Sequence, residues 1–268
     1  MRKESPLSTK LLAMFNETYK RLLIIWDYRF NIMTQLVTVA FIFIGATFFL
    51  GGGKFDEKQL PALFLGYLVW FYARIVILTT SEDLMGEAQS GTLEQMYMSP
   101  VPTELLVLGR MLATLVSTTI MVGLTSIVLV LLLGIHIPIR LEALLALILT
   151  LIGLFGFSLM LGGAALVFKQ IEALADLLQN ALLFLTGSLL PVSHFPGWLE
   201  TFTKTLPITQ GIIVIRNIVL GGQSLSSALA DGSLIWLSIH SAIYLCAGWL
   251  LFKWCERIAK QQGSLSHY

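Results

Sequence analysis

Apolar positions along this chain gather into long runs separated by short polar stretches, a pattern that predicts helices crossing a membrane. About 20 apolar residues span the hydrocarbon core as a helix, because the backbone there must satisfy its own hydrogen bonds. Six such runs can be drawn: Ile32 to Leu50, Leu60 to Thr79, Met111 to Leu133, Leu144 to Phe168, Leu174 to Leu190 and Ser233 to Phe252. The fifth carries Asp176, Gln179 and Asn180 in its first turns and stops at Pro191. Ahead of the first run, Leu11, Leu12, Phe15, Tyr19, Leu22, Leu23 and Trp26 recur at helical spacing opposite Lys10, Asn16, Glu17, Lys20 and Arg21. This spacing predicts an amphipathic helix over residues 7–28 in the inner headgroup layer, with a plain extension of the first span as the alternative.

Composition points the same way. The 268 residues are 56% hydrophobic and 12% charged, with a mean hydropathy of +0.81, far from a soluble domain. The expected fold is therefore an all-α integral membrane protein forming one transmembrane domain over residues 1–268. The first apolar run lacks a following small-residue cleavage site and is expected to act as its own insertion signal. Orientation follows from Lys and Arg in the flanks. Arg2, Lys3, Lys10, Lys20, Arg21, Arg29, Arg110, Lys169, Lys253, Arg257 and Lys260 fall on one side, and Lys54, Lys58, Arg140, Lys204 and Arg216 on the other. Both termini are thus expected in the cytoplasm, with the protein multi-pass in the cell (inner) membrane. The net charge of +1 and the lack of basic residues interleaved with aromatics set nucleic acid aside as a partner. Cys246 and Cys255 read as buried, unreactive thiols.

Residues 82–102 form the one substantial polar stretch between apolar runs, and they include no Lys or Arg. Glu82, Asp83, Glu87, Glu94 and Glu104 supply carboxylates, Gly86 and Gly91 break the helix propensity, and Ser99-Pro100 with Pro102 stop it. A short acidic helix over residues 82–98, exposing Leu93, Met96, Tyr97 and Met98, suits the groove of a basic partner, while a solvated loop fits the same composition. Gly51-Gly52-Gly53-Lys54 lacks the spacing of a phosphate loop and reads as a turn. No other stretch matches the nucleotide-binding pattern, so this chain is not expected to hydrolyse ATP by that route; if transport is ATP-driven, another polypeptide supplies the motor.

Further along, Pro191, Pro196 and Pro207 punctuate residues 191–222. Trp198, Leu199, Phe202 and Leu206 give one apolar face, and Ile212, Ile213, Ile215, Ile218 and Val219 another before Gly221-Gly222. Both pieces are too short to span and are expected to dip into the outer leaflet as a re-entrant helical pair, an outer loop with interfacial anchors being the alternative. Polar residues inside spans cost free energy in hydrocarbon and are candidates for function. They are Thr34, Gln35 and Thr38 on one side of the first span and Gln179 and Asn180 opening the fifth. Packing hydrogen bonds between helices compete with that role. Arg74 is expected to snorkel or to pair with Asp176 or Glu82. His240 reads as an interhelical histidine, and Gly153, Gly156, Gly162 and Gly163 predict close helix contact.

Glu87, then Gly91-Thr92-Leu93-Glu94-Gln95 and Ser99-Pro100, placed between the second and third of six spans, resembles the permease subunits of type 2 ABC exporters. The stretch from Pro191 to Leu199, followed by Leu206-Pro207-Ile208-Thr209 and Arg216, is similar to that family's outer segment. The resemblance implies that Glu82, Glu87, Gly91, Thr92, Leu93, Glu94 and Pro100 couple the chain to an ATPase. It implies an outer gate at Pro191, Phe195, Pro196, Trp198 and Pro207, and a pathway lined by Thr34, Gln35, Thr38, Gln179 and Asn180. The partners implied are two ATP-binding cassette subunits, which carry ATP and Mg, a second permease chain, and membrane lipid; no cofactor or metal is expected on this chain. The Gly-Thr-Leu-Glu pattern is closer to the drug and small-molecule branch than to polysaccharide or lipid-linked glycan exporters. An ion-coupled secondary carrier calls for paired buried carboxylates or broken helices in repeated halves, and only Asp176 is near. An enzyme is not expected, since no His-Glu-x-x-His, Gly-x-Ser-x-Gly or carboxylate dyad is present.

Overall fold

The structure, a computed structural model, describes residues 7–89, 103–168 and 171–261. Regular structure within them is helical. In chain order α1 is Leu7–Asp27, α2 Arg29–Leu50, α3 Leu60–Gln89, α4 Thr103–Leu133, α5 Glu142–Phe168 and α6 Glu172–Leu185. A 3-10 turn at Val192–His194 leads to α7 Gly197–Thr203, α8 Thr209–Val219, α9 Leu225–Ala230 and α10 Ser233–Gln261.

Among the described residues five helices are long and apolar enough to cross a membrane: Arg29–Leu50, Leu60–Thr80, Leu106–Leu133, Glu142–Phe168 and Ser233–Gln261. The remaining expected run, Leu174 to Leu190, is realised differently. Its helix α6 has 14 residues and ends at Thr186, after which the chain turns through Gly187 at φ 80°. At about 1.5 Å per residue α6 extends about 21 Å, against a hydrocarbon core of about 30 Å. Its apolar sequence continues, but the helix does not. A second difference lies in α3, which runs unbroken through Gly86 to Gln89, where a break was expected. One glycine costs only about 1 kcal/mol in a helix interior, too little to stop a 30-residue helix.

α3 occupies the middle of the bundle, with α4, α5, α6 and α8 packed around it. Tyr67, Trp70, Phe71 and Ile77 on α3 are among the largest fully buried side chains, joined by Phe43 from α2 and Ile212 and Ile218 from α8. The longest pairing joins α5 and α10. Gly153 lies against Ser241, Gly156 against the backbone of Tyr244 and Leu245, and Gly163 against Phe252 and Cys255. Gly248 returns the approach from α10, facing the backbone of Gly156. Small residues let the two backbones meet in this way without a hydrophobic drive from water.

Gly52 and Gly53 adopt φ of 65° and 88°, so the triple glycine is the expected turn. Before α10 the Ser233 N–H donates to Asp231 Oδ1 at 2.8 Å, which holds that carboxyl below the usual carboxylate range. Cys255 is buried, whereas Cys246 faces outward and corrects the expectation of two buried thiols: nine residues advance a helix by about two and a half turns, which puts the pair on opposite sides.

Candidate functional site

The first span is packed along only part of its length. Buried positions on α2 are Val39, Ala40, Phe43 and Thr47. Tyr67 Oη donates to the Val39 carbonyl at 2.6 Å, and the Phe43 ring sits 4.9 Å from that of Tyr67. Toward Arg29, Thr34, Gln35 and Thr38 remain exposed on the isolated chain. The gap they leave against α3 is a cavity of about 280 Å³.

Thr34, Gln35 and Thr38 line one side of this cavity, and Phe71, Arg74, Ile75, Leu78, Thr79 and Glu82 the other. Both threonine hydroxyls donate within their own helix, Thr34 to the Phe30 carbonyl at 3.0 Å and Thr38 to the Thr34 carbonyl at 2.8 Å. Each hydroxyl hydrogen is thus used within α2, and the helix loses no backbone hydrogen bond. Arg74 donates through Nη1 to Gln179 Oε1 at 3.2 Å and lies over the Trp70 ring, 5.8 Å from its centroid. The Trp70 indole N–H donates to the Gln179 carbonyl at 2.7 Å. Gln179 is therefore the polar anchor for both α3 side chains, and it is buried. Arg74 finds this amide where Asp176 or Glu82 was expected as its partner. Asn180 points elsewhere, exposed, with its amide donating to the Asp176 carbonyl at 2.8 Å. The cavity walls combine aromatic and aliphatic surface with one cation and one carboxylate.

Of the acidic stretch, Glu82 is exposed at the end of α3 and Glu87 belongs to its last turns. Gly91, Thr92, Leu93, Glu94 and Pro100 lie outside the described residues. The connection at Lys169 and Gln170 lies outside them as well.

At the opposite end residues 191–222 fold back onto the bundle. Pro196 opens α7, Pro207 is buried, Phe195 is half-buried and Trp198 is 73% exposed. α8 is driven inward between α3, α5 and α10, and seven of its eleven residues are buried. With Gly211 against the Thr150 side chain, α8 meets α5 without an intervening Cβ. Eleven residues reach about 16 Å, roughly half of the hydrocarbon core. Arg216 fixes the depth of α8: Nε donates to the Ala62 carbonyl at 2.8 Å and Nη2 to the Ser188 carbonyl at 3.1 Å. The link between α7 and α8 is tied to α10, because Tyr244 Oη donates to the Thr205 carbonyl at 2.7 Å and His240 Nε2 lies 3.0 Å from the same oxygen. Arg216, Tyr67 and Trp70 were not singled out from sequence for these contacts, and their partners lie 28 to 154 residues away. Only Arg216 offered a signal, as a cation close to an apolar run.

These features define a polytopic α-helical membrane protein with a part-polar cavity between its spans and a helix folded back from one end. Residues 9–220 match the family described as ABC-2 type transporter, and the chain belongs to it. Over 183 residues it is 28% identical to the probable doxorubicin resistance ABC transporter permease protein DrrC of Mycobacterium tuberculosis, in two strains, a stretch covering 62% of this chain and 62% of those relatives. Over 204 residues, 75% of this chain, it is 26% identical to ABC transporter G family member 20 of Dictyostelium discoideum, of which that stretch is 26%. The matched part thus spans under two thirds of each relative.

Proposed function

We propose that this chain is the permease subunit of an ATP-driven exporter, moving a lipophilic or amphipathic small molecule out of the cytoplasm or inner leaflet. The observation that carries this reading is the family match over residues 9–220, and the relative whose name refers to doxorubicin resistance favours the drug and small-molecule branch. The cavity beside α2 suits such cargo, since Phe71, Ile75 and Leu78 offer apolar surface beside Thr34, Gln35, Thr38, Arg74 and Glu82. The exposure of Thr34, Gln35 and Thr38 on a single copy supports a pathway enclosed by two permease chains.

In this reading two ATP-binding cassette subunits bind ATP and Mg and dock at Glu82, Glu87, Gly91, Thr92, Leu93, Glu94 and Pro100. Closure of the ATPases switches the spans between inward- and outward-facing states, and the differential energy comes from ATP binding to the partner. Pro191, Phe195, Pro196, Trp198 and Pro207 form the exit gate. α1 lies in the inner headgroup layer, which fits its exposed Leu12, Phe15, Tyr19 and Leu23. The test is affinity purification of the tagged protein in mild detergent, with mass spectrometry of what accompanies it and an ATPase assay of the complex. The expected result is a nucleotide-binding subunit at about one per permease. A partner-free protein whose transport ignores ATP overturns the reading in favour of a secondary carrier.

A further inference from the structure

Along the side of the bundle a groove of about 390 Å³ opens between α3, α4, α5 and α8. Leu65, Leu68 and Val69 of α3, Leu144 and Leu147 of α5 and Val219 of α8 make its walls apolar. Among the described residues the one charged side chain that lines it is that of Arg140, just before α5. We propose that this groove seats an acyl chain of an anionic phospholipid of the phosphatidylglycerol type, whose phosphate is held by Arg140.

Charge selects the ligand class. Arg140 is exposed, and among the described residues its guanidinium takes part in no hydrogen bond or ion pair. The other charged groups at this end of the bundle are engaged or lie outside the groove. Glu200 pairs with Lys204 at 2.7 Å, Asp231 accepts from the Ser233 N–H and from Gln223, Asp56 accepts from the Lys58 N–H and from Gln59, and Arg216 donates to two carbonyls. Glu142 is half-buried on α5, and Lys54, Glu57 and Lys58 are exposed in the loop before α3; none of them lines the groove. A headgroup there meets one cation and no lining carboxylate. The planar fork of arginine fits a phosphate, whereas the ammonium of a zwitterionic headgroup is repelled by it and has no lining carboxylate to receive it.

Position selects the source. Arg140 lies past the apolar window of α4, which ends at Leu133, and just ahead of that of α5, which begins at Glu142. Its neighbours Ile139 and Leu141 are among the most exposed large apolar side chains, so they reach acyl chains while the arginine between them sits at headgroup depth. From there the groove follows α3 from Leu65 to Tyr72, about 10 Å. Its polar floor is already paired: Tyr72 Oη donates to Thr119 Oγ1 at 3.1 Å, and Thr119 to the Leu115 carbonyl at 2.8 Å. Hydrocarbon covering these hydroxyls strands no donor. A free anion uses the arginine alone; a phospholipid uses the arginine and the groove.

Gly123, which lines the groove on α4, allows a test that leaves the charge intact. A Cβ added there meets no atom within 4 Å, so Gly123→Leu fills the groove and improves helix propensity. Full-length protein in detergent is irradiated with phosphatidylglycerol carrying a diazirine in its acyl chain, and the labelled residues are mapped by mass spectrometry with dioleoyl phosphatidylglycerol or phosphatidylcholine as competitor. The expected result is label concentrated on the groove residues, displaced about fivefold better by phosphatidylglycerol, as one basic side chain near a membrane surface gives. Gly123→Leu is expected to lose that label at an unchanged lipid-free melting temperature, and Arg140→Gln to keep it but lose the headgroup preference. Should Gly123→Leu lower that temperature, Arg140→Gln decides alone. Label spread evenly over other exposed faces, such as Ile243 and Leu250 of α10, equal displacement by the two lipids, or a preference that survives Arg140→Gln overturns the proposal. So does displacement by glycerol 3-phosphate as effective as by the lipid, which assigns Arg140 to a free anion, or an unlabelled groove, which goes to a second copy of the chain if Gly123→Cys then cross-links between chains. The readout needs neither ATP nor transport, so it stands or falls apart from the exporter reading.

Discussion

Single side chains hold this bundle together where hydrophobicity cannot, because lipid tails are as apolar as the helix surfaces. Gly156 is the sharpest case. Its missing Cβ is where the Tyr244 backbone passes, and backbone cannot rotate aside as a side chain can. Gly156→Ala is expected to destabilise the protein by about 1–3 kcal/mol through overpacking. Gly45→Ala, where a Cβ meets nothing within 4 Å, is expected to leave it unchanged or slightly more stable, a contrast read by thermal unfolding in detergent. Arg216 works through its fork. Arg216→Ala leaves the buried Ser188 carbonyl without this donor, at about 1–3 kcal/mol for a buried group left unsatisfied, whereas the Ala62 carbonyl, inside α3, keeps its helical donor. Arg216→Lys is expected to recover little, since one ammonium cannot reproduce two donors diverging toward two elements. Full recovery by Lys in the same melting assay would show that charge alone suffices. The glycines were legible in sequence because small residues within an apolar run have few other uses. The tethers of Tyr67, Trp70 and Arg216 were not, because their acceptors are backbone carbonyls of distant segments, and a carbonyl has no sequence signature.

At the scale of elements, five apolar runs announced their helices through length alone, since every backbone group in hydrocarbon must be paired internally. The run from Leu174 forms a helix shorter than its hydropathy: apolar residues persist through Leu189 and Leu190, but Gly187 takes a left-handed conformation and turns the chain. Thr186-Gly187-Ser188 carried that turn signal within an apolar context. The opposite difference came at Gly86, which was expected to break the helix propensity, whereas α3 runs through it with no proline there to stop it. The consequence is that α3 extends as one continuous helix from the middle of the bundle, where it carries Trp70 and Arg74, to Gln89. Reversing Glu87 and Glu94 to Lys is expected to weaken ATPase docking by several kcal/mol through like-charge contact. Normal recovery of the complex and normal stimulated ATPase activity in that double variant would remove these residues from the coupling surface.

For the whole molecule, the two ends differ in how they are built. At the Arg216 end α8 is wedged among three helices and its approach is tied to α10 by His240 and Tyr244, while α7 carries Trp198 and Phe202 outward. In the proposed pair of permease chains, cross-linking Phe195→Cys or Trp198→Cys to its counterpart is expected to stop export and leave the assembled complex intact; undiminished export after complete cross-linking would count against a gate there. At the other end one face of α2 below Val39 stays open: Thr34, Gln35 and Thr38 are exposed on the single chain, while Ile32 and Leu36 still pack against the core. Folding therefore places almost no demand on which side chains occupy those three positions. In the proposed reading, exchanging them alters which compounds are accepted at little cost to the packing of the single chain.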